Sequence, residues 1–266
     1  MSTKSYKGKK YQDEKFLSVQ DVLTVEESLK ITINGSPYTI TMRTPGSEIE
    51  LVRGLLFSEN VHPDLQCDPV ITVKEKNISG FITWMDVSIP IDKIGKGFET
   101  VRNIMSVSSC GICGKTELDE ITGGKLSSTE KLEPKILSKM FEQMNENQNT
   151  FRQSGGSHAC AAFTLSGKML AIQEDIGRHN AVDKVIGSLI LQKKLHEAKC
   201  MTVSGRISYE IVNKCFVAGI PFLAAVSAPS SLAVDLAEQM GITLMAFCRE
   251  NKFTAYSHVG NFKNLS

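Results

Sequence analysis

The sequence predicts an α/β protein, with a three-layer α/β core in its C-terminal half and an α+β subdomain in its N-terminal half. Beyond residue 134, continuous apolar runs such as Cys200-Met201-Thr202-Val203 alternate with amphipathic helical patterns. This alternation is typical of a parallel sheet that is covered by helices on both faces. In the first half, short strand patterns surround a single helical pattern, which is typical of an α+β arrangement. The polar stretch from Gly123 to Glu133 is predicted to be a linker.

The N-terminal half is predicted to contain a flexible segment, a hairpin and a helix. Residues 1–20 are predicted to be flexible, and the lysine-rich polar stretch from Met1 to Lys15 is expected to be frayed. Two β-branched and aromatic arms within residues 30–42 flank Asn34-Gly35, a preferred two-residue hairpin turn. Ser47 and Glu50 match a capping box at the start of a helix. The apolar residues at helical spacing are Ile49, Leu51, Val52, Leu55 and Leu56, and strands are predicted at 70–73 and 81–89.

The C-terminal half is predicted to contain alternating strands and helices. Ser166-Gly167 is predicted to be a hairpin turn, and Gly219 and Gly241 are predicted to follow the ends of helices. The predicted helices are 134–147, 180–194, 209–218 and 232–240, and the predicted strands are 161–165, 168–172, 200–203, 221–226 and 242–247. The predicted organisation is a flexible N-terminus over 1–20, an α+β subdomain over 21–107, a mobile cysteine loop and linker over 108–133, and an α/β core with a ligand site over 134–266.

The composition excludes several classes of function. The formal net charge is +1, so there is no electrostatic reason to expect nucleic acid or an acidic membrane surface as a partner. No apolar run reaches the length of a membrane span, and the lysine-rich N-terminus lacks the apolar segment of a secretion signal. The seven cysteines are an odd number and lack the spacing of a secreted disulfide framework. We therefore expect a cytoplasmic protein.

The pair Cys110-Gly111-Ile112-Cys113 is the most reactive motif in the chain. Small residues surround the two thiols and Lys115 follows them, which indicates an accessible loop with a nearby cation that favours the thiolate. Three interpretations compete for this motif, and spacing alone does not separate the last two of them. A structural zinc site needs a second ligand pair, and the sequence has no second CxxC, so no metal site is predicted. A redox dithiol and a carrier of persulfide sulfur both fit the pair.

Polar residues follow three of the predicted strands at the point where each strand ends. They occur in Gln173–Asn180, in Ser204-Gly205-Arg206 and in Ser227–Ser231, and a fourth cluster, Phe247–Lys252, follows the last strand. Ligands of open α/β sheets bind at the carboxyl ends of parallel strands. Helix N-termini and arginine side chains suit phosphate groups. These segments therefore predict a ligand that carries phosphate, such as a nucleotide, although no P-loop or GxGxxG motif is present.

Structural interpretations of the same residues compete with the functional ones. Asp175 and Ser230 also fit roles as helix caps, and His179 fits a structural hydrogen-bonding role. His158-Ala159-Cys160 resembles the His-x-Glu motif of zinc nucleobase deaminases, but a cysteine replaces the glutamate and no Pro-Cys-x-x-Cys follows. Deaminase chemistry is therefore not predicted.

Four segments form a specific combination in their order along the chain. They are SSCGICGK at 108–115, EDIGRHNAVDK at 174–184, SGR at 204–206 and AAVSAPSSLA at 224–233. Together they resemble the formate dehydrogenase accessory protein family, FdhD. The resemblance covers most of the chain, from the first hairpin to beyond Phe247.

The resemblance implies a cytoplasmic sulfurtransferase with a cytidine-deaminase-like core, usually a homodimer. Such a protein takes sulfur from a cysteine desulfurase and passes it to the molybdenum bis-guanine-dinucleotide cofactor, which activates formate dehydrogenase. Carried onto this sequence, Cys110 holds the persulfide and Cys113 is its partner. GDP is the expected mimic of the cofactor's nucleotide part. The predicted cofactor-binding residues are Arg178, His179, Ser204, Arg206, Ser227, Phe247, Cys248, Arg249, Glu250, Asn251 and Lys252. A thiol-disulfide oxidoreductase and a non-catalytic cofactor chaperone are the alternative functions.

Overall fold

A computed structural model of the protein describes residues 2–98, 124–126 and 130–263. The helices of these ranges are α1 (Glu48–Ser58), α2 (Pro134–Glu146), α3 (Asn149–Ser154), α4 (Arg178–Leu191), α5 (Tyr209–Val217) and α6 (Ser231–Met240). The strands are β1 (Thr3–Gln12), β2 (Lys15–Thr24), β3 (Glu27–Ile33), β4 (Ser36–Arg43), β5 (Val70–Lys76), β6 (Ile82–Ser88), β7 (His158–Phe163), β8 (Met169–Asp175), β9 (Cys200–Val203), β10 (Phe222–Ala225), β11 (Thr243–Arg249) and β12 (Lys252–Ala255).

The C-terminal half is built on a six-stranded sheet in the order β12-β11-β10-β9-β7-β8. The three strands β9, β10 and β11 are parallel, whereas β7 is antiparallel to both of its neighbours and β12 is antiparallel to β11. It follows that β8 runs in the same direction as β9, β10 and β11. The carboxyl ends of these four strands therefore lie at one edge of the sheet, together with the first residue of β7.

Helices cover both faces of this sheet. On β7, Cys160 and Ala162 pack in the apolar cluster that contains residues of α4, α5 and α6. Ala159, Ala161 and Phe163 pack in the opposite cluster, which contains residues of α2. This alternation places each successive side chain on the other face, as the period of a β-strand requires. Burial of apolar area on both faces is the main stabilising contribution to such a core.

The prediction of a mixed α/β protein is confirmed, with corrections in detail. The sheet is parallel only at its centre, because the hairpin β7–β8 and strand β12 add antiparallel pairs. Strand β12 was not predicted, since its four residues KFTA are short and alternate between half-buried and exposed positions. The cytidine-deaminase-like character of the core stays a prediction.

The N-terminal half contains a four-stranded sheet in the order β4-β3-β6-β5, against which α1 packs. The predicted turn at Asn34-Gly35 is confirmed, with φ angles of 50° and 78° that suit a type I′ hairpin. The predicted capping box is wrong. Ser47 has a φ of 56° and its side chain makes no capping bond. Glu48 instead accepts the Gly46 N–H at 2.9 Å and pairs with the buried Arg43 at 3.0 Å.

The expectation of a frayed N-terminus is wrong about its secondary structure. Strands β1 and β2 form an antiparallel hairpin with ten register pairs. Its turn is Asp13-Glu14, where both residues have positive φ, and the rings of Tyr11 and Phe16 meet beside the turn at 5.2 Å. The base of the hairpin is anchored to α3, where the hydroxyls of Thr24 and Ser154 lie 2.6 Å apart.

Helices α1 and α4 join the two halves by a close crossing at two glycines. A Cβ atom at Gly54 would lie 1.8 Å from the Asp183 carbonyl oxygen, and one at Gly187 would lie 1.8 Å from the Glu50 carbonyl oxygen. Any larger residue at either position therefore forces the helices apart. Beside the crossing, Lys214 of α5 pairs with the buried Asp183 at 2.8 Å. These contacts fix the start of α4 relative to the sheet edge described below.

Candidate functional site

The loops at the carboxyl edge of the six-stranded sheet are connected to one another by backbone hydrogen bonds. The Ile207 N–H donates to the Ala228 carbonyl at 3.1 Å, and the Ser230 N–H donates to the Ile207 carbonyl at 2.9 Å. The Phe247 N–H donates to the Ser227 carbonyl at 3.4 Å. The polar segments that the sequence places after separate strands therefore lie side by side at one edge.

Asp175 at the end of β8 organises the first of these loops. Its carboxylate pairs with Lys184 at 2.7 Å, and both side chains are buried. It also accepts the N–H groups of Gly177 at 2.8 Å and Thr44 at 3.1 Å. Because all of these partners belong to the protein, Asp175 is a structural residue that holds the β8–α4 loop. The helix-cap interpretation is confirmed for Ser230, whose hydroxyl accepts the Ala233 N–H at 3.2 Å.

The first turn of α4 carries Arg178 and His179. The Arg178 side chain is half-buried, and its Nε has no hydrogen-bond partner in the part of the chain that the structure describes. His179 is buried, and its Nε2 lies 3.1 Å from the Ser208 hydroxyl and 3.4 Å from a Glu210 carboxylate oxygen. Helix α5 begins directly after Ser208, so the two histidine partners lie at the start of a second helix of the same face.

The Glu210 carboxylate is held in its charged form. Burial raises its pKa, but hydrogen bonds from His179 and from the Ser208 hydroxyl outweigh burial and lower the pKa to about 2. The Ser208 hydroxyl donates to this carboxylate at 2.7 Å. Glu210 was not among the predicted site residues, since its sequence position on α5 does not reveal that it faces α4.

His158 is a further residue of this edge that the sequence prediction left out. It is the first residue of β7 and pairs in register with Asp175. Its Nδ1 would lie 3.1 Å from a Cβ placed on Gly205, so the imidazole packs directly against the β9 loop. Burial and the nearby Arg178 lower its pKa. No local sequence signal marks His158, because it reaches the carboxyl end of β9 only through the antiparallel pairing of β7 with that strand.

The predicted residues of the β9 and β10 loops differ in accessibility. Ser204 is half-buried, and its hydroxyl accepts the Ala159 N–H at 2.9 Å, so this side chain supports the loop. Arg206 is exposed, and no described residue forms an ion pair with it. Ser227 is half-buried, and its carbonyl accepts the Phe247 N–H.

The predicted segment Phe247–Lys252 covers the end of β11, the turn that follows it and the first residue of β12. Phe247 has a φ of 56° at an irregularity in the β11–β12 pairing and is 48% exposed. A left-handed backbone is unusual for a bulky residue and is common at ligand sites. Arg249 and Lys252 are exposed and lie opposite each other in the strand register. Glu250 and Asn251 form the turn, and Asn251 accepts a hydrogen bond from Ser138 at 3.0 Å.

Cys248 does not contribute its side chain to this surface. It is 3% exposed and belongs to the apolar cluster on the α2 face. Burial raises the pKa of its thiol to about 12. The prediction of Cys248 as a ligand-binding residue is therefore wrong for the thiol, because alternation along β11 turns it into the core.

The predicted cysteine pair, Cys110 and Cys113, lies outside the described residues. Within the described ranges, no group of three or more histidine, cysteine, aspartate or glutamate residues is placed to hold a metal ion. None of the described helices has both the length and the hydropathy to cross a membrane.

A cavity of about 430 Å³ lies elsewhere, in the N-terminal half. Its lining residues are Ile33, Asn34, Ser36, Ile91, Ile94, Gly95, Lys96 and Phe98. None of these residues belongs to the carboxyl edge of the six-stranded sheet, and the lining carries a single charged side chain. Among the described residues, the polar groups that the sequence predicts for a ligand site therefore lie at the strand ends and not in this cavity.

Comparisons with known proteins identify the family. Residues 24–263 match the family model described as the FdhD/NarQ family. The Sulfur carrier protein FdhD of Sulfolobus acidocaldarius is 40% identical over 259 residues, which are 97% of this chain and 98% of that protein. The protein of the same name from Mycobacterium tuberculosis is 42% identical over 253 residues, which cover 89% of this chain and 90% of that one.

A solved structure shows the same fold. It is the crystal structure of a protein from Desulfotalea psychrophila that is provisionally named a formate dehydrogenase accessory protein. The TM-score is 0.76 at 21% identity, and the match covers 98% of this chain and 100% of that one. Given the family model and the similarity to full-length relatives, the chain belongs to the FdhD/NarQ family.

Proposed function

We propose that this protein is a sulfur carrier that takes persulfide sulfur from a cysteine desulfurase and delivers it to the molybdenum bis-guanine-dinucleotide cofactor of formate dehydrogenase. The observation that carries the proposal is the similarity along nearly the whole chain to relatives named Sulfur carrier protein FdhD. The Cys110-Gly111-Ile112-Cys113 motif supplies the two thiols that such a carrier needs.

In the loading step, Cys110 is the nucleophile. Its thiolate, favoured by the positive charge of Lys115, attacks the outer sulfur of a persulfide on the desulfurase. A new S–S bond forms on Cys110, the S–S bond of the donor breaks, and the donor cysteine leaves as a thiolate. The product is a Cys110 persulfide, and the sulfur has changed carriers without any net oxidation.

In the release step, Cys113 is the thiol that attacks the persulfide. Its thiolate attacks the inner sulfur of the Cys110 persulfide, so a Cys110–Cys113 disulfide forms and the outer sulfur leaves as sulfide. The two electrons on the sulfide come from the two cysteine thiols. A cellular dithiol then reduces the disulfide and restores the carrier. The departing sulfide is in the oxidation state that a metal-bound sulfido ligand requires.

The other described cysteines do not compete for sulfur. Cys160, Cys200, Cys215 and Cys248 are all buried. Burial raises the pKa of each of these thiols, so the nucleophilic thiolate is not populated at neutral pH. Cys67 is half-exposed and is the remaining described cysteine that a persulfide donor can approach. It therefore provides the natural control for the cysteine pair.

The strand-end surface is proposed as the site for the cofactor, which is the cargo of the reaction. Arg178, Arg206, Arg249 and Lys252 lie at or next to the strand ends, and no described carboxylate forms an ion pair with them. Phosphate groups of the guanine dinucleotides supply the charge that these cations lack. The exposed ring of Phe247 offers a face on which a guanine base can stack. We propose that the protein acts in the cytoplasm as a homodimer.

The experiment is activation of formate dehydrogenase in cells that lack the native carrier. Expression of the Cys110→Ala variant is expected to leave the dehydrogenase inactive, because no persulfide is loaded. Cys113→Ala is expected to cause a milder loss, since free cellular thiols replace it. Cys67→Ala is the matched control and should retain full activation. Full activation by Cys110→Ala contradicts the sulfur-carrier function and favours a chaperone that only holds the cofactor.

A further inference from the structure

His158 lies on the strand-end surface, on β7 between β8 and β9. As the first residue of β7 it belongs to the face of the sheet that carries α4, α5 and α6, because the side chain two positions on, Cys160, packs in that face. Its imidazole is half-buried and packs against Gly205. Neither of its ring nitrogens has a hydrogen-bond partner within the described residues. A half-buried imidazole without partners is expected to find one in a ligand.

The groups around this imidazole are predominantly cationic. Arg178 and His179, in the first turn of α4, and Arg206, in the β9 loop, act on it electrostatically, and Arg178 packs against the same Gly205 as the imidazole. Asp175 of β8 is the acidic group that faces it. The Asp175 carboxylate already pairs with Lys184 at 2.7 Å, so its charge is largely neutralised. His179 in turn lies against Glu210 at 3.4 Å.

We propose that His158 contacts the anionic part of the ligand bound at this edge and takes up a proton when that ligand binds, so that binding and protonation are coupled. This inference rests on the proposed function, because it takes the strand ends to be the site of a phosphate-bearing cargo. It adds a binding residue to that site and a dependence on pH.

The physical reason is the change in charge around the imidazole. In the free protein, burial and the positive charges of Arg178 and Arg206 disfavour the imidazolium form. A bound phosphate brings negative charge next to the same ring and gives its N–H groups acceptors. The pKa of His158 therefore rises on binding, and a proton enters between the free and the bound pKa values. By linkage, the affinity increases as the pH falls through that range.

The coupling also gives this site a pH-dependent affinity, which a site that binds anions by fixed charges alone does not have. Arginine side chains stay charged throughout the physiological range, so they give an affinity that does not depend on pH. A histidine is the side chain whose charge changes near neutrality. At higher pH, His158 loses its proton and the affinity for the cargo falls, so the group that binds the cargo also promotes its release.

The test is calorimetry of GDP binding to the full-length protein in two buffers that differ in ionisation enthalpy, at about pH 6.5, near the usual histidine pKa. The number of protons taken up per GDP bound is expected to be larger for the wild type than for the His158→Gln variant, and the difference should be a substantial fraction of one proton. The β-phosphate of GDP also titrates near this pH, and its contribution cancels in the difference between the two proteins. The wild-type affinity should rise relative to that of the variant by up to about tenfold per pH unit as the pH falls.

His196→Gln is the matched control. His196 is exposed and lies in a short 3₁₀ helix just before the first residue of β9, at the end of that strand away from the proposed site. This variant should keep the proton uptake of the wild type. Equal proton uptake in wild type and His158→Gln, with GDP bound by both, overturns the inference and leaves the cargo site in place. Absence of GDP binding to the wild type overturns the cargo site and this inference with it. The persulfide loading of Cys110, measured separately, is not affected by either result.

Discussion

Two sets of charged residues, one buried around α4 and one at the strand ends of the six-stranded sheet, differ in how their charges are satisfied. In the buried set, Lys184 pairs with Asp175 at 2.7 Å and Lys214 pairs with Asp183 at 2.8 Å, and all four side chains are nearly inaccessible. In the strand-end set, Arg178, Arg206, Arg249 and Lys252 have no ion-pair partner in the part of the chain that the structure describes.

The difference indicates that the buried charges stabilise the fold, whereas the strand-end cations are available to bind a ligand. A buried charge without a partner is costly, so the protein supplies partners for Lys184 and Lys214 and uses them to fix α4 and α5. For Lys214, burial lowers the pKa, but the carboxylates of Asp183 and Glu59 outweigh it and raise the pKa above the usual range. Cations that remain unpaired at a sheet edge are available to an anionic ligand.

The largest expected effect on stability comes from removing one partner of a buried ion pair. Lys184→Met leaves the Asp175 carboxylate uncompensated, and it should lower the free energy of unfolding by about 3–5 kcal/mol. Urea unfolding followed by circular dichroism measures the change. In the double variant Asp175→Asn/Lys184→Met the uncompensated charge is absent, so its stability should lie above that of Lys184→Met alone. A single variant within about 1 kcal/mol of wild type contradicts the structural role given to this pair.

The next largest effect is a pH-dependent change in stability at Glu210, whose carboxylate lies near His179 beside the strand ends. Its pKa is lowered from a usual value of 4.5 to about 2, so its stabilising contribution is present above pH 4.5 and is lost as the pH falls towards 2. Glu210→Gln should therefore reduce the free energy of unfolding at pH 7 by at most about 3 kcal/mol. The difference between wild type and variant should shrink at pH 3. A difference that stays constant between pH 7 and pH 3 contradicts the ionised pairing with His179.

A smaller effect is expected for the strand-end cations. Arg249→Gln and Lys252→Gln should each weaken GDP binding by about tenfold, because a charge-assisted contact to phosphate contributes about 1.5–3 kcal/mol. Both side chains are exposed, so the free energy of unfolding should change by less than about 0.5 kcal/mol. Calorimetry with GDP and urea unfolding measure the two quantities on the same samples.

Lys263→Gln is the control for these variants, because Lys263 is also exposed but lies outside the strand-end loops. Its GDP affinity should match that of the wild type. If Arg249→Gln and Lys252→Gln bind GDP as tightly as this control, the two residues do not belong to the site.

The smallest expected change is the reaction of the buried thiols. Native protein treated with iodoacetamide at pH 8 should remain unlabelled at Cys248, because burial raises the pKa of that thiol to about 12. The same holds for Cys160, Cys200 and Cys215, which are also buried. Peptide mass spectrometry reads the labelled sites, and labelling after unfolding in urea is the positive control. Rapid native labelling of Cys248 contradicts its placement in the core.

Local sequence patterns predicted most elements of the core. Apolar spacing predicted both ends of α4 and α6 to within about three residues, since their buried stripes follow the period of a helix. The hairpin β1–β2 was missed because lysine content hid an alternating pattern around the Asp13-Glu14 turn. The capping role of Ser47 was predicted from residue types alone, whereas the left-handed backbone that prevents it is set by the packing of the preceding turn.

The candidate site was predictable as far as chain order determines it. Strands β8, β9, β10 and β11 run in one direction, so their following loops meet at one edge. Residues that reach this edge from antiparallel or helical elements were not predictable. His158 arrives on the antiparallel β7, and Glu210 arrives from α5. The burial of Cys248 depended on the register of β11, which a motif match does not reveal.

The most direct test of the sulfur-carrier function is peptide mass spectrometry without reductant, after incubation of the protein with a cysteine desulfurase and cysteine. We expect one added sulfur on the peptide that contains Cys110, removable by dithiothreitol and absent in Cys110→Ala. Cys67 should remain unmodified under the same conditions. No added sulfur on the Cys110 peptide, with a simple Cys110–Cys113 disulfide in its place, would contradict the account and assign the pair to redox chemistry.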